Sequence, residues 1–188
     1  ISLAADEDIA IGELKTTSNF TTPAAVTIVS TNGGVTDVAS DAVLDITTGA
    51  GGTLKIDAET GVGSANALET SVGFIDIVNA TGGNILIDEV VAGGALGIDK
   101  VDQDFDTGTV TIRTLDGTLT VEAGKDGVAA KAGEITLDAQ DAGVSGDDDL
   151  VVNDTVVSTS GKINLDAAND VIFGADGDVT STSGEVEV

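Results

Sequence analysis

The sequence of 188 residues contains no Cys, His, Met, Trp or Tyr, and its only aromatic residues are four Phe. Without Cys or His there is no thiolate or imidazole nucleophile, no Ser-His-Asp triad, no zinc site of the usual ligands and no disulfide framework. We therefore predict that the protein is not an enzyme. The absence of Cys fits a secreted bacterial surface protein, and it is equally compatible with a reducing compartment.

Basic residues are scarce as well. Seven Lys and Arg stand against 33 Asp and Glu, which gives a formal net charge of −26 at pH 7. This charge argues against nucleic acid or an anionic membrane surface as a partner, because both would repel the chain. No stretch approaches the roughly 18 consecutive apolar residues of a membrane span, so we expect no membrane insertion. The hydrophobic fraction of 41% is nevertheless enough to build a core.

The sequence does contain a repeated short motif, Gly-x-Φ-x-Φ, in which Φ is Ile, Leu or Val. Alternation with period two indicates a short strand with one apolar face, and the leading Gly marks the turn into that strand. Several copies continue with an acidic residue and Ala. The nine copies begin at Gly52, Gly73, Gly83, Gly94, Gly108, Gly117, Gly133, Gly161 and Gly184.

Other short apolar runs predict strands without a leading Gly, at Val26 to Val29, Val43 to Ile46, Leu150 to Val152 and Val171 to Phe173. No segment has apolar residues at helical spacing, so we expect almost no helix. Near the C-terminus the spacing of seven or eight residues between strand starts predicts three short sides per turn and a coil of about 23 residues. These starts are Ile163, Val171, Val179 and Val186.

Such short strands cannot bury their apolar faces alone, so they must share a core. The two possible arrangements are an antiparallel β-sandwich and a parallel β-solenoid. Sandwiches of the immunoglobulin type use longer strands and aromatic core residues, whereas a narrow solenoid suits stacked Ile, Val, Leu and Ala. We therefore predict an all-β fold: one parallel β-solenoid segment over residues 1–188, with coils of roughly 20 to 30 residues and a narrow aliphatic core.

The Gly-x-Φ-x-Φ-acid-Ala units, with the run Asn169-Asp-Val-Ile-Phe-Gly174 that follows one of them, resemble the β-helical shafts of filamentous-haemagglutinin-type adhesins and of giant repeat-rich bacterial surface proteins. The residues that carry this resemblance cover most of the chain beyond Gly52 and also Ile1 to Gly12. The secretion-domain signature of such adhesins is not recognisable, so the resemblance concerns the shaft. It implies a secreted protein of the bacterial cell surface that forms a right-handed β-helix and serves adhesion or surface architecture.

The predicted function is accordingly a structural or adhesive segment of a β-solenoid filament or adhesin. Its expected partners are neighbouring solenoid segments or copies of the chain end to end, because an uncapped solenoid exposes strand edges and apolar residues. Cell-surface glycans are a further expected partner. The alternative is a polysaccharide-binding or polysaccharide-degrading β-helix protein, since paired carboxylates can act as acid and base in glycoside cleavage.

Acidic residues dominate the outward positions of the repeats. The residue after the second Φ is acidic in most copies, and in-register coils would bring these like charges close together. They are Asp57, Asp88, Asp99, Glu122, Asp138 and Asp166. The densest acidic run supplies hard oxygen ligands on a Gly-containing loop, which favours a Ca²⁺ site, although Asp also favours turns. The predicted metal ligands are Asp147, Asp148, Asp149 and Asp154.

Overall fold

The computed structural model describes residues 1–38, 43–91, 94–143 and 146–188, and within these ranges it contains strands and turns but no helix. The strands stack as a parallel β-solenoid of about seven turns. Every strand pair among the described residues is parallel. The prediction of an all-β parallel solenoid is confirmed, and the antiparallel sandwich is wrong.

The first turns contain three short strands each, and the central turns contain fewer and longer ones. The N-terminal strands are β1 (Ser2–Ala5), β2 (Ile9–Ile11), β3 (Leu14–Lys15), β4 (Val26–Ser30), β5 (Val35–Asp37) and β6 (Ile46–Thr47). The central strands are β7 (Thr53–Ala58), β8 (Leu68–Ser71), β9 (Phe74–Asn79), β10 (Ile85–Glu89), β11 (Leu96–Gln103) and β12 (Val110–Thr114).

The last turns return to three strands each. They contain β13 (Leu119–Val121), β14 (Gly127–Ala130), β15 (Ile135–Ala139), β16 (Leu150–Val152), β17 (Thr155–Ser158), β18 (Ile163–Ala167), β19 (Val171–Phe173), β20 (Asp178–Ser181) and β21 (Val186–Glu187). Ile163 lies beside Val186, which confirms the predicted 23-residue coil at this end. Coil length varies elsewhere, because stacked partners are 21 residues apart at Lys55 and Asp76 but 31 apart at Gly117 and Asp148.

Two long sheets run along the rod. The first has the order β1-β4-β7-β9-β11-β13-β16-β19, and the second has the order β3-β6-β8-β10-β12-β15-β18-β21. The long strand β11 pairs with β13 through its first half and with β14 through its second half, so the first sheet divides there into two sides. At the N-terminal end the third side is formed instead by β2 and β5.

Stacked aliphatic side chains from all sides form the core. Both Φ side chains are at most 3% exposed in eight of the nine motifs, and the exception is the last motif, where Val186 and Val188 are exposed. One ladder joins Ile85, Val110 and Ile135 through successive turns of the second sheet. The period-two pattern therefore predicted the inward face of each repeat correctly, and the narrow aliphatic core is confirmed.

The predicted strand from Val43 to Ile46 is wrong, because the strand in this region is Ile46–Thr47. The side chain of Val43 is 64% exposed. Strand β6 is only two residues long, and it pairs with Leu14 and Lys15 of β3 on one side and with Thr70 and Ser71 of β8 on the other.

Polar side chains fill one inner corner of the solenoid and bind the backbone of the turns. The Ser158 hydroxyl donates to the Gly133 carbonyl at 3.0 Å and accepts from the Gly161 amide at 2.9 Å. Ser181 repeats this arrangement one turn later, with the Gly161 carbonyl at 2.8 Å and the Gly184 amide at 2.9 Å. A Ser three residues before a leading Gly thus satisfies polar backbone groups at the corner.

The leading glycines stack on one another where coils pass closest. A Cβ on Gly133 would overlap the carbonyl oxygen of Gly108, and a Cβ on Gly161 would overlap the carbonyl oxygen of Gly133. Neither residue has a positive φ, so the requirement is for close approach of backbones rather than for a left-handed conformation. The repeated Gly of the motif therefore sets the spacing between coils at this corner.

Truncating an inward residue should cost far more stability than truncating its outward neighbour. Ile135 is fully buried and Thr136 is partly exposed on the same strand. We expect Ile135→Ala to lower the free energy of unfolding by about 2–5 kcal/mol, because it leaves a cavity between stacked coils. Thr136→Ala should cost less than about 1 kcal/mol. Urea denaturation followed by circular dichroism measures both, and equal losses would contradict the inward assignment.

Adding a methyl group at a stacked glycine should also destabilise the protein. Gly133→Ala should lower the free energy of unfolding by about 1–3 kcal/mol or more, because the backbone of the preceding coil must shift. Gly12→Ala is the matched control, since nothing lies within 4 Å of a Cβ built there. The control should change stability by less than about 1 kcal/mol in the same denaturation experiment. A harmless Gly133→Ala variant would refute the close-approach explanation.

Candidate functional site

The four predicted metal ligands do not converge on one point. Asp149 accepts hydrogen bonds from the Asn169 side chain at 2.8 Å and from the Asp170 amide at 3.1 Å. Asp154 accepts from the amides of Lys125 and Thr155, at 3.1 and 2.7 Å. These two carboxylates hold the backbone of turns, which is the role that Asp commonly has in loops.

Asp148 belongs to a different group of acids. Its carboxylate accepts from the Gly117 amide at 2.7 Å, and the side chain is almost fully buried. Within the described residues its carboxylate groups with those of Asp116 and Asp141, with all three contributing oxygens within 4.8 Å of one another. Asp147 is exposed and is not part of this group. Of the predicted ligands, the structure therefore brings only Asp148 into a carboxylate cluster.

A second carboxylate cluster lies near the N-terminal end and consists of Asp37, Asp45 and Glu69; we call it the N-terminal cluster. One oxygen from each carboxylate lies within 4.8 Å of the others. Asp37 ends β5, Asp45 precedes β6, and Glu69 lies on β8 of the following turn. Asp45 and Glu69 are 2% and 6% exposed, so two of the three acids are withdrawn from water.

Backbone and side-chain donors hold the N-terminal cluster in place. The Glu69 amide donates to Asp45 Oδ2 at 3.1 Å, and the Asp45 amide donates to the Glu69 carbonyl at 2.9 Å. Asn66 Nδ2 donates to Asp37 Oδ2 at 2.9 Å. The cluster is therefore positioned by contacts between two successive turns.

Burial and mutual repulsion disfavour ionisation in this cluster. The pKa of Asp45 is raised to about 7, chiefly by desolvation, with Asp37 and Glu69 adding to the rise and the hydrogen bond from the Glu69 amide opposing it. Desolvation also raises the pKa of Glu69. Three carboxylates at this separation are the kind of oxygen donors that a hard divalent cation binds.

A further acid, Glu89, points into the core. It follows Ile85 and Ile87 on β10 with period two, and it stacks between Thr70 and Thr114 in the inward ladder of the second sheet. Its Oε2 accepts from the Thr70 hydroxyl and from the Val72 amide, both at 3.0 Å. The residue is 1% exposed, and desolvation raises its pKa to about 8. Glu89 is therefore mostly protonated at neutral pH.

The outward acids are separated by cations rather than stacked without interruption. Asp88 and Asp138 are in the same ladder, and Arg113 lies between them. Arg113 binds Asp88 through two hydrogen bonds of 2.7 Å each. Directly adjacent acids in this ladder occur at Glu69 and Asp88 and at Asp138 and Asp166. The expected stacking of acids is thus partly relieved by a bidentate ion pair.

Lysines serve the same purpose on the first sheet. A surface groove of about 510 Å³ crosses the outer face of this sheet and includes Lys55 and Lys125 in its lining. Lys55 lies 3.1 Å from Asp76 of the next turn, and Lys125 lies 3.1 Å from Asp99. The groove is consequently a surface of paired charges between neighbouring coils.

Sequence reasoning missed both Glu89 and the N-terminal cluster, for different reasons. Glu89 had a local signal, because it continues the alternation of Ile85 and Ile87. The members of the N-terminal cluster have no common motif and are distributed over two turns. Finding them requires the coil register, which the irregular spacing of the glycines leaves undetermined.

Replacing Glu89 by Gln should remove a pH dependence of stability. The pKa is about 8 in the folded chain against an ordinary value of 4.5, so the folded state retains a proton that the unfolded state loses. The stabilisation from Glu89 is therefore complete below about pH 4.5 and declines as the pH rises toward about 8. Glu89→Gln keeps a neutral side chain of similar shape, and its stability relative to the wild type should increase from about pH 5 to about pH 9 by a few kcal/mol.

Urea denaturation at a series of pH values measures this difference. Glu13→Gln, at an exposed acid, is the control and should leave the difference between variant and wild type flat over the same range. A flat profile for Glu89→Gln would contradict the assignment of Glu89 as a buried, protonated acid.

Comparisons with protein-family models, with curated proteins and with solved structures gave no match. Within the described ranges, none of the secondary structure is a helix long and apolar enough to cross a membrane. The structure itself assigns the chain to the parallel β-solenoids, with about seven turns.

Proposed function

We propose that this chain is a non-catalytic shaft segment of a bacterial cell-surface rod or adhesin, and that its terminal coils stack on further solenoid coils. The observation that supports the proposal most strongly is the exposure of ladder residues at the C-terminal end. Phe173 stacks on the fully buried Val152 yet is 47% exposed, and Val186 stacks on the fully buried Ile163 yet is 41% exposed.

These residues occupy inward positions. A neighbouring solenoid segment would supply the next coil, and that coil would cover them. An apolar cross-section bordered by a free strand edge favours association with another coil, because it buries apolar area and pairs the backbone groups of the edge. At the opposite end of the solenoid, β1 pairs with β4 among the described residues. Coil-on-coil stacking there would likewise involve a neighbouring segment or a second copy.

The setting outside a bacterial cell is part of the proposal, and it is supported by the resemblance of the repeats to adhesin shafts. The paired charges along the outer face keep a rod with a net charge of −26 soluble. In this function the outer face contacts cell-surface glycans, and that contact provides the adhesion.

Sedimentation velocity over a range of chain concentrations tests the stacking. We expect the wild-type chain to self-associate end to end and Phe173→Asp to abolish this, because a charge at the inward position cannot be buried against another coil. Ile172→Asp is the matched control. Ile172 is 42% exposed on the same strand but stacks with Val151 at an outward position, so this variant should still associate.

Two results would contradict the proposal. A wild-type chain that stays monomeric at every concentration would refute stacking at the ends. Turnover of neutral or acidic polysaccharides by the purified chain would favour the polysaccharide-degrading alternative and refute a purely structural role.

A further inference from the structure

The N-terminal cluster joins two successive turns through acidic side chains. Asp37 and Asp45 flank the connection from β5 to β6, and Glu69 lies on β8 in the next turn. We propose that Asp37, Asp45 and Glu69 form a divalent-cation site with the ligand chemistry of Ca²⁺, and that the bound ion fastens the end of β5 and the start of β6 to β8. The Ca²⁺ ligands predicted from the sequence lie elsewhere in the chain.

The spacing of the oxygens suits Ca²⁺. Ca²⁺ binds oxygen at about 2.3–2.6 Å, so two ligands on opposite sides of the ion are about 4.6–5.2 Å apart. Mg²⁺ binds at about 2.0–2.1 Å and requires near-octahedral geometry with several waters. Three carboxylate oxygens within 4.8 Å of one another are therefore close enough to share one Ca²⁺.

An independent observation points to a missing positive partner. Glu69 Oε2 is buried from solvent and receives no hydrogen bond from a backbone amide, a hydroxyl or a side-chain amide of the described residues, and the residue as a whole is 6% exposed. A buried carboxylate oxygen without a partner is costly, because folding removes its hydrating water and provides no replacement. A cation held jointly with Asp37 and Asp45 would supply that replacement.

Among the described residues, no Lys or Arg side chain supplies this positive partner to Asp45 or Glu69. Among the described residues, the ion pairs include neither Asp45 nor Glu69. Arg113 is two strands away from Glu69 in the outward ladder, and it is bound in a bidentate pair with Asp88, the residue next to Glu69. The acid beside Glu69 thus has a guanidinium partner, and Glu69 itself does not.

The carboxylates are also pre-oriented. The amide of Glu69 fixes Asp45, and Asn66 fixes Asp37, as described above. Binding an ion therefore requires little ordering of side chains, which favours affinity.

Isothermal titration calorimetry with CaCl₂ on the metal-free full chain tests the site, together with thermal unfolding in Ca²⁺ and in NaCl of matched ionic strength. We expect Ca²⁺ to raise the melting temperature more than NaCl does, because it binds the native state alone. Glu69→Gln should weaken one binding event by about tenfold or more, since affinity depends on the charge of the ligands. Without Ca²⁺ the same variant should be at least as stable as the wild type, because it removes a buried charge.

Two control variants separate this site from general screening and from the other cluster. Asp166→Asn removes one exposed outward charge and should leave the calorimetric titration unchanged. Asp141→Asn alters the cluster of Asp116, Asp141 and Asp148 and should preserve the binding event that Glu69→Gln weakens.

The proposal is overturned if Glu69→Gln binds Ca²⁺ as the wild type does, or if NaCl and Ca²⁺ stabilise the chain equally at matched ionic strength. A Glu69→Gln variant that loses stability equally with and without Ca²⁺ would indicate a purely structural role and would also overturn it. An equal response to MgCl₂ would refute the assignment to Ca²⁺ chemistry.

Discussion

Parallel, in-register pairing between successive coils is the interaction on which the other features depend. Each short strand obtains its backbone hydrogen bonds from the turns before and after it, so no coil is stable without its neighbours. Pairing in register also places like residues on top of one another, as in the ladder of Ile85, Val110 and Ile135. The narrow aliphatic core is the result of this stacking, because every inward position meets another inward position.

The same stacking imposes steric and electrostatic requirements, and specific residues meet them. Close approach at one corner requires glycine, as at Gly133 and Gly161. Polar backbone groups of the glycines at the same corner are bound by Ser158 and Ser181. Outward acids that would repel one another are separated by Arg113 or paired with lysines. The glycines and serines at the corner and the positions of the charged residues therefore follow from the register. They keep a strongly acidic chain compact.

Carboxylates become functional candidates where the register brings them together out of water. The residues Asp37, Asp45 and Glu69 are ordinary turn and strand residues when considered singly. Two turns must stack before their oxygens come within 4.8 Å of one another. By contrast, the consecutive acids Asp147 to Asp149 were conspicuous in the sequence and yet separate in the structure, since neighbouring residues on an extended chain point in different directions.

The sequence by itself determined the all-β class, the parallel solenoid and the inward face of each repeat. These follow from local facts: the period of two, the leading Gly and the scarcity of aromatic residues. Only the tertiary structure decided which coil residues stack, since loop lengths between strands vary and register is a property of two turns together. The two carboxylate clusters and the division of the sheets at β11 depend on that register, and therefore no local pattern could predict them.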